Sequence, residues 1–169
     1  MVRNAAGETI LQQKVVAMEH TGETEQKIKE ITKLIETGHP VNVCDNAGLL
    51  SKVHSVRNSL KLCLLGLTPL HEAANFGFPA TTKILLKHGA NIDATTKSDC
   101  AFKSDGVDEN TVGPITALQD ACSTLAGELL EGERSRKLEV IQILLEYNAN
   151  TLLRNAQNKT PLQAGFITV

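Results

Sequence analysis

The feature that most limits what this chain can fold into is the segment Leu67-Thr68-Pro69-Leu70-His71-Glu72-Ala73-Ala74-Asn75-Phe76-Gly77, followed shortly by Thr82-Lys83-Ile84-Leu85-Leu86-Lys87-His88-Gly89-Ala90-Asn91-Ile92-Asp93. Each signature residue has a local reason. A threonine caps a helix, and the proline after it occupies the first turn, where no amide hydrogen is needed. The leucine points to a core, the small alanines let this helix lie close to a neighbour, and the glycine takes a left-handed stop. The second stretch is amphipathic and ends at Gly89 before a turn. One such helix pair cannot bury its own apolar face, so it has to be stacked on copies of itself.

The copies are present in weaker form. Gly7-Glu8-Thr9-Ile10-Leu11-Gln12 opens a first unit, with a second helix expected near Lys27–Thr37 and a stop at Gly38-His39-Pro40-Val41-Asn42. Ile115-Thr116-Ala117-Leu118-Gln119-Asp120-Ala121 opens a third, with a second helix expected over Leu138–Tyr147 and then Asn148-Ala149-Asn150. Lys159-Thr160-Pro161-Leu162-Gln163-Ala164 opens a fourth. The T-P-L-H-x-A element at a period of about 33 residues resembles the ankyrin repeat. The expected fold is therefore all-α: an ankyrin-repeat solenoid over 1–169, with about three full repeats plus a partial fourth and β-hairpin-like fingers. Repeats are expected near 4–45, 67–93, 113–150 and 155–169. The fourth has no second helix and no polar C-terminal cap, which suggests a piece of a longer protein.

Composition agrees and excludes other classes. Hydrophobic residues are 41% and charged residues 21%, with aromatics at 3% and no Trp, as suits a core of Leu, Ile, Val and Ala. A net charge of −2 gives no basic field for nucleic acid. Cys44, Cys63, Cys100 and Cys122 have no CxxC spacing, so a zinc site or disulfide framework is not expected. The opening residues do not read as a signal peptide, and no apolar run reaches membrane-spanning length. There is no nucleophile–base pair or phosphate loop, and His20, His39, His54 and His88 have no convergent Cys or carboxylate spacing. No enzyme activity, cofactor or metal is expected.

Four stretches interrupt the period. The connections between Leu11 and Ile28, between Asp93 and Ile115, and between Ala126 and Leu138 are long, polar or acidic, and read as edge loops where insertions cost little. The fourth, Leu49–Gly66, has no acidic residue, carries Lys52, Arg57 and Lys61, and has an apolar end. Removing it joins Asp45-Asn46-Ala47-Gly48 directly to Leu67-Thr68-Pro69-Leu70-His71. It reads either as translated non-coding sequence or as a genuine loop.

With that insert set aside, the run D-N-A-G-L-T-P-L-H-E-A-A-N-F-G, together with Gly38-His39-Pro40-Val41-Asn42 and Gly7-Glu8-Thr9, resembles the ankyrin domain of the tonsoku-like family. A close second is the ankyrin domain of the RING partner of the breast-cancer ubiquitin ligase. The resemblance implies a nuclear, chromatin-associated scaffold of replication-coupled homologous recombination. Its implied partners are the tail of histone H4 around unmethylated lysine 20, as H3-H4, and other repair or chromatin proteins, with no direct nucleic acid and no membrane. The recognition positions it implies are Glu8, Asp45, Leu67, His71, Glu72, Asn75, Phe76 and Asp120. The family has a Trp where Leu67 stands and a Met where Ala6 stands, so two walls of its pocket are reduced here.

The residues speak partly for themselves. Glu72 and Asp120 occupy the same slot in successive repeats, with Asn75 on the face of Glu72 at i+3. Glu8 and Asp45 add negative charge, and such a row is a natural receptor for a Lys/Arg-rich peptide. Plainer roles stand beside these: His71 tying adjacent loops together, Asp45 ordering a turn, Glu72 and Asp120 as solvated helix residues, Asn75 and Phe76 capping or packing. The alternative function is a generic ankyrin adaptor for an unrelated protein.

Overall fold

A computed structural model describes residues 8–19, 21–44, 66–96, 114–125 and 129–165. Asp45, Ala6, nearly all of the Leu49–Gly66 insert and the acidic stretch 97–113 lie outside the described residues. The helices come in pairs: α1 (Ile10–Val16) with α2 (Glu25–Glu36), α3 (Pro69–Phe76) with α4 (Pro79–Lys87), and α5 (Ala117–Leu125) with α6 (Glu131–Glu146). A short α7 (Pro161–Gly165) opens a fourth unit. First helices pack on first helices, α1 to α3 to α5 to α7, and second helices on second, α2 to α4 to α6. This is the stacked helix-pair solenoid that the repeated segment requires.

The threonine slot works as its chemistry suggests. Gln12 N–H donates to Thr9 Oγ1 at 3.2 Å while Thr9 N–H donates to Gln12 Oε1 at 2.9 Å, a reciprocal capping box. Thr116 with Gln119 and Thr160 with Gln163 repeat it. In the second unit Thr68 N–H donates to His71 Nδ1 at 3.2 Å. The far end of the same residue then reaches the next unit. Gln12 Nε2 donates to the carbonyl of Leu67 at 2.7 Å, His71 Nε2 to that of Ile115 at 3.1 Å, and Gln119 Nε2 to that of Leu153 at 2.9 Å. Glutamine stands in for histidine because a carboxamide also carries one acceptor and one donor end.

The fingers form a second ladder. Asn42 Oδ1 accepts Asn91 N–H at 2.6 Å, and Asp93 Oδ1 accepts Asn150 N–H at 2.9 Å. Gly38 and Gly89 stand 51 residues apart in sequence, longer than a period of about 33 by the 18 residues of Leu49–Gly66. The ladder therefore connects equivalent positions across that insert. Thr95 and Thr116 form an isolated antiparallel bridge between the second finger and the start of the third unit. Asn148 takes the left-handed stop (φ 63°) that Gly89 (φ 82°) takes one unit earlier.

Two expected loops are more structured than the sequence suggested. The α6 helix starts at Glu131 rather than near Leu138, because the Glu133 carboxylate folds back to accept Leu130 N–H at 3.2 Å and fixes an earlier start. The connection of the first unit buries Met18 completely, and its Glu23 carboxylate accepts Ala80 N–H (3.1 Å) and Thr81 N–H (2.6 Å), capping α4 from the neighbouring unit. The core runs along the whole stack as Leu11, Val15, Ile31, Leu70, Ala73, Ala74, Leu85, Leu118, Ala121, Val140 and Leu144.

Candidate peptide-binding site

The inner helices bring the acidic slot into register. Glu72 lies in the first turn of α3 and Asp120 in the first turn of α5, and these two helices pack directly on one another. Neither is a solvated helix residue: Glu72 is 9% exposed and Asp120 8%. Asn75 and Phe76, at the end of α3, are half-buried. The Phe76 ring lies 5.7 Å from that of Phe78, tilted by 31°, and rests against the core. Glu8 is half-buried before α1, where its carbonyl accepts Gln13 Nε2 at 3.2 Å, and Leu67 is half-buried with its carbonyl held by Gln12.

His71 is spent on structure. It is 1% exposed, with Nδ1 accepting from Thr68 N–H and Nε2 donating to Ile115 O. This pattern fixes the neutral tautomer. Burial lowers its pKa from 6.5 to about 4, against the smaller opposing effect of its backbone hydrogen bonds. Both ring nitrogens are engaged within the solenoid, which is the loop-tying role.

A residue that the sequence reading passed over completes the arrangement. Lys137, on the first half of α6, is 5% exposed, and its Nζ donates to the Asn75 carbonyl at the end of α3. It is also the Coulombic partner of Asp120. Burial pushes Asp120 up to about 6, with the Lys137 charge pulling the other way. Burial likewise lowers Lys137 to about 8, with Asp120 and then Glu133 opposing and Arg136 adding to the shift. The signal for Lys137 was in the register: it precedes Asn148 by the same step as Phe78 precedes Gly89, and Phe78 is core. Starting the helix at Leu138 hid it.

Two shallow concavities lie elsewhere, one of about 310 Å³ lined by Lys14, Ala17, Thr24, Gln26, Lys27 and Glu30, the other of about 410 Å³ lined by Thr37, Gly38, His39 and Pro40. Neither includes Glu72 or Asp120. Among the described residues no group of three or more His, Cys, Asp or Glu is placed to hold a metal ion, and no helix is long and apolar enough to cross a membrane.

Comparisons with known proteins agree with this architecture. The Ankyrin repeat family profile matches residues 65–97. A zebrafish (Danio rerio) ankyrin repeat and SOCS box protein 11 is 33% identical over 101 residues, covering 56% of this chain and 34% of that protein. The crystal structure of the ankyrin repeat domain of Bcl-3, described as a unique member of the IkappaB protein family, matches 96% of this chain and 49% of that chain, with a TM-score of 0.59 and 22% identity. The chain thus spans about a third of the first protein and half of the second structure.

Proposed function

We propose that this chain, an ankyrin-repeat domain and hence a protein-binding module, receives a lysine-bearing basic peptide on its inner-helix face. The ligand implied by the tonsoku-like resemblance is the histone H4 tail around unmethylated lysine 20. In that role the domain works in the nucleus, within a chromatin-associated scaffold of replication-coupled double-strand break repair. The observation that carries the reading is the pair of inner-helix carboxylates, Glu72 and Asp120, in the same slot of two packed helices. Asn75 and Phe76 at the end of α3 and Glu8 before α1 extend the proposed surface, with Leu67 in place of the family's Trp; Asp45 is proposed with them from the sequence alone.

The test is the response to methylation. An unmodified ammonium carries three donors, and each methyl group removes one while keeping the charge. A buried acceptor left unpaired costs about 1–3 kcal/mol, so dimethylation weakens binding by about tenfold or more. An aromatic cage prefers the methylated form, and this chain has no Trp and one Tyr. Titration of unmodified and dimethylated H4 tail peptides against the purified domain decides the matter. Equal affinity for the two, or none for either, would leave the second reading, a generic ankyrin adaptor for an unrelated protein. That reading draws on the similarity to an ankyrin repeat and SOCS box protein.

A further inference from the structure

We infer that the junction of α3, α5 and α6 is a built site for a primary alkylammonium group, and that Lys137 is its resident occupant. The ammonium donates to the Asn75 carbonyl in the last turn of α3, where the helix dipole is negative. The Asp120 carboxylate from α5 supplies the opposite charge, and Glu133 lies one turn earlier on α6. The lysine stem is accommodated by Gly77, the left-handed stop of α3 (φ 69°): a Cβ there would lie 3.1 Å from Lys137 Cγ and 3.5 Å from its backbone nitrogen. Carboxylate, carbonyl and ammonium come from three different helices, and Asp120 and Lys137 are each more than nine-tenths buried. Packing alone does not demand this. Phe78 fills the equivalent slot one unit earlier, and an apolar side chain of similar volume often replaces a buried ion pair at no cost. The ammonium site stands without the histone reading. It adds one consequence to it: a lysine-bearing ligand that reaches Asp120 has to exchange with Lys137.

The test uses small cations as probes, with no histone present. Lys137→Ala removes the ammonium and three methylenes, which n-propylammonium restores. Thermal melting of the full chain is expected to show a lower midpoint for Lys137→Ala. An excess of n-propylammonium chloride recovers most of the loss, and tetramethylammonium chloride at equal concentration recovers none. The rescue disappears in the Lys137→Ala/Asp120→Asn double variant. Equal recovery by both salts, or by neither, overturns the assignment. Should Lys137→Ala fail to fold, amine labelling of the native protein read by mass spectrometry takes its place. Lys137 is then expected to react at least about tenfold more slowly than exposed Lys29, since reaction requires local opening, and Asp120→Asn removes most of that protection. Labelling of Lys137 at the rate of Lys29 overturns the assignment equally.

Discussion

His71 and Asp120 are two buried titratable groups whose responses to pH oppose each other. His71 is neutral when folded, with its pKa lowered from 6.5 to about 4 by burial. The stability it contributes is complete above pH 6.5 and is lost as pH falls toward 4, because the unfolded chain takes up the proton first. Asp120 is raised from 3.8 to about 6 by burial. Between those values the folded state holds a proton that the unfolded state has released, so its contribution falls as pH rises. Between about pH 4 and pH 6 the two slopes offset. His71→Gln separates them, since Gln12, Gln119 and Gln163 show that glutamine makes the same capping box. Urea unfolding is expected to find the variant within about 1 kcal/mol of the parent at pH 7. At pH 4 it gains about 3 kcal/mol relative to the parent. A difference that stays constant with pH would mean that His71 is not held neutral.

At the scale of the element, the helices are fastened by side chains from other units more than by their own. The first turn of α4 is proline-led and carries no acidic residue of its own. Its first-turn amides at Ala80 and Thr81, which have no partner within the helix, are satisfied by Glu23, which arrives from the connection between α1 and α2. A carboxylate there both accepts hydrogen bonds and opposes the positive end of the dipole. Glu23→Ala is expected to cost about 1–2 kcal/mol. Glu25→Ala, which loses an exposed i,i+4 pair with Lys29 at 2.6 Å and a solvated first-turn charge on α2, costs less, at about 0.5 kcal/mol. Equal costs in chemical denaturation would place the Glu23 contact outside the folded ensemble. Nothing in the spacing of Glu23 marks it as a cap for α4, because the two lie 57 and 58 residues apart. The acidic slot of Glu72 and Asp120, by contrast, was readable from the repeat alone.

At the scale of the molecule, equivalent leucines record which faces are covered. Leu11, Leu70 and Leu118 share one slot and are 0–2% exposed, while Leu162, the same slot in the fourth unit, is 69% exposed. Ile35 and Leu86 are buried on the second helices, and their equivalent Leu145 is exposed. Each unit is thus buried by the unit that follows it, as one-dimensional stacking requires. Leu70→Ala is expected to cost about 2–5 kcal/mol, the range for a leucine truncated in a packed core. Leu162→Ala costs less than about 0.5 kcal/mol. A similar cost for both, measured by denaturant unfolding, would show α7 to be packed like an interior helix.

The sequence by itself determined the unit, its count and its order. Threonine, proline, leucine and a stop residue act within a few residues of one another, so their consequences are local and survive transfer from one repeat to the next. It also placed Glu72 and Asp120 in one slot, since that is a matter of counting along the repeat. The tertiary structure alone decided what each polar group meets. His71 ends on Ile115, Glu23 on α4, and Lys137 on Asn75 and Asp120. These pairings span unequal intervals, because the insertions between repeats have no fixed length. Only the stacking of helices brings such residues within reach, and only burial there turns a solvated carboxylate into one that requires a cation.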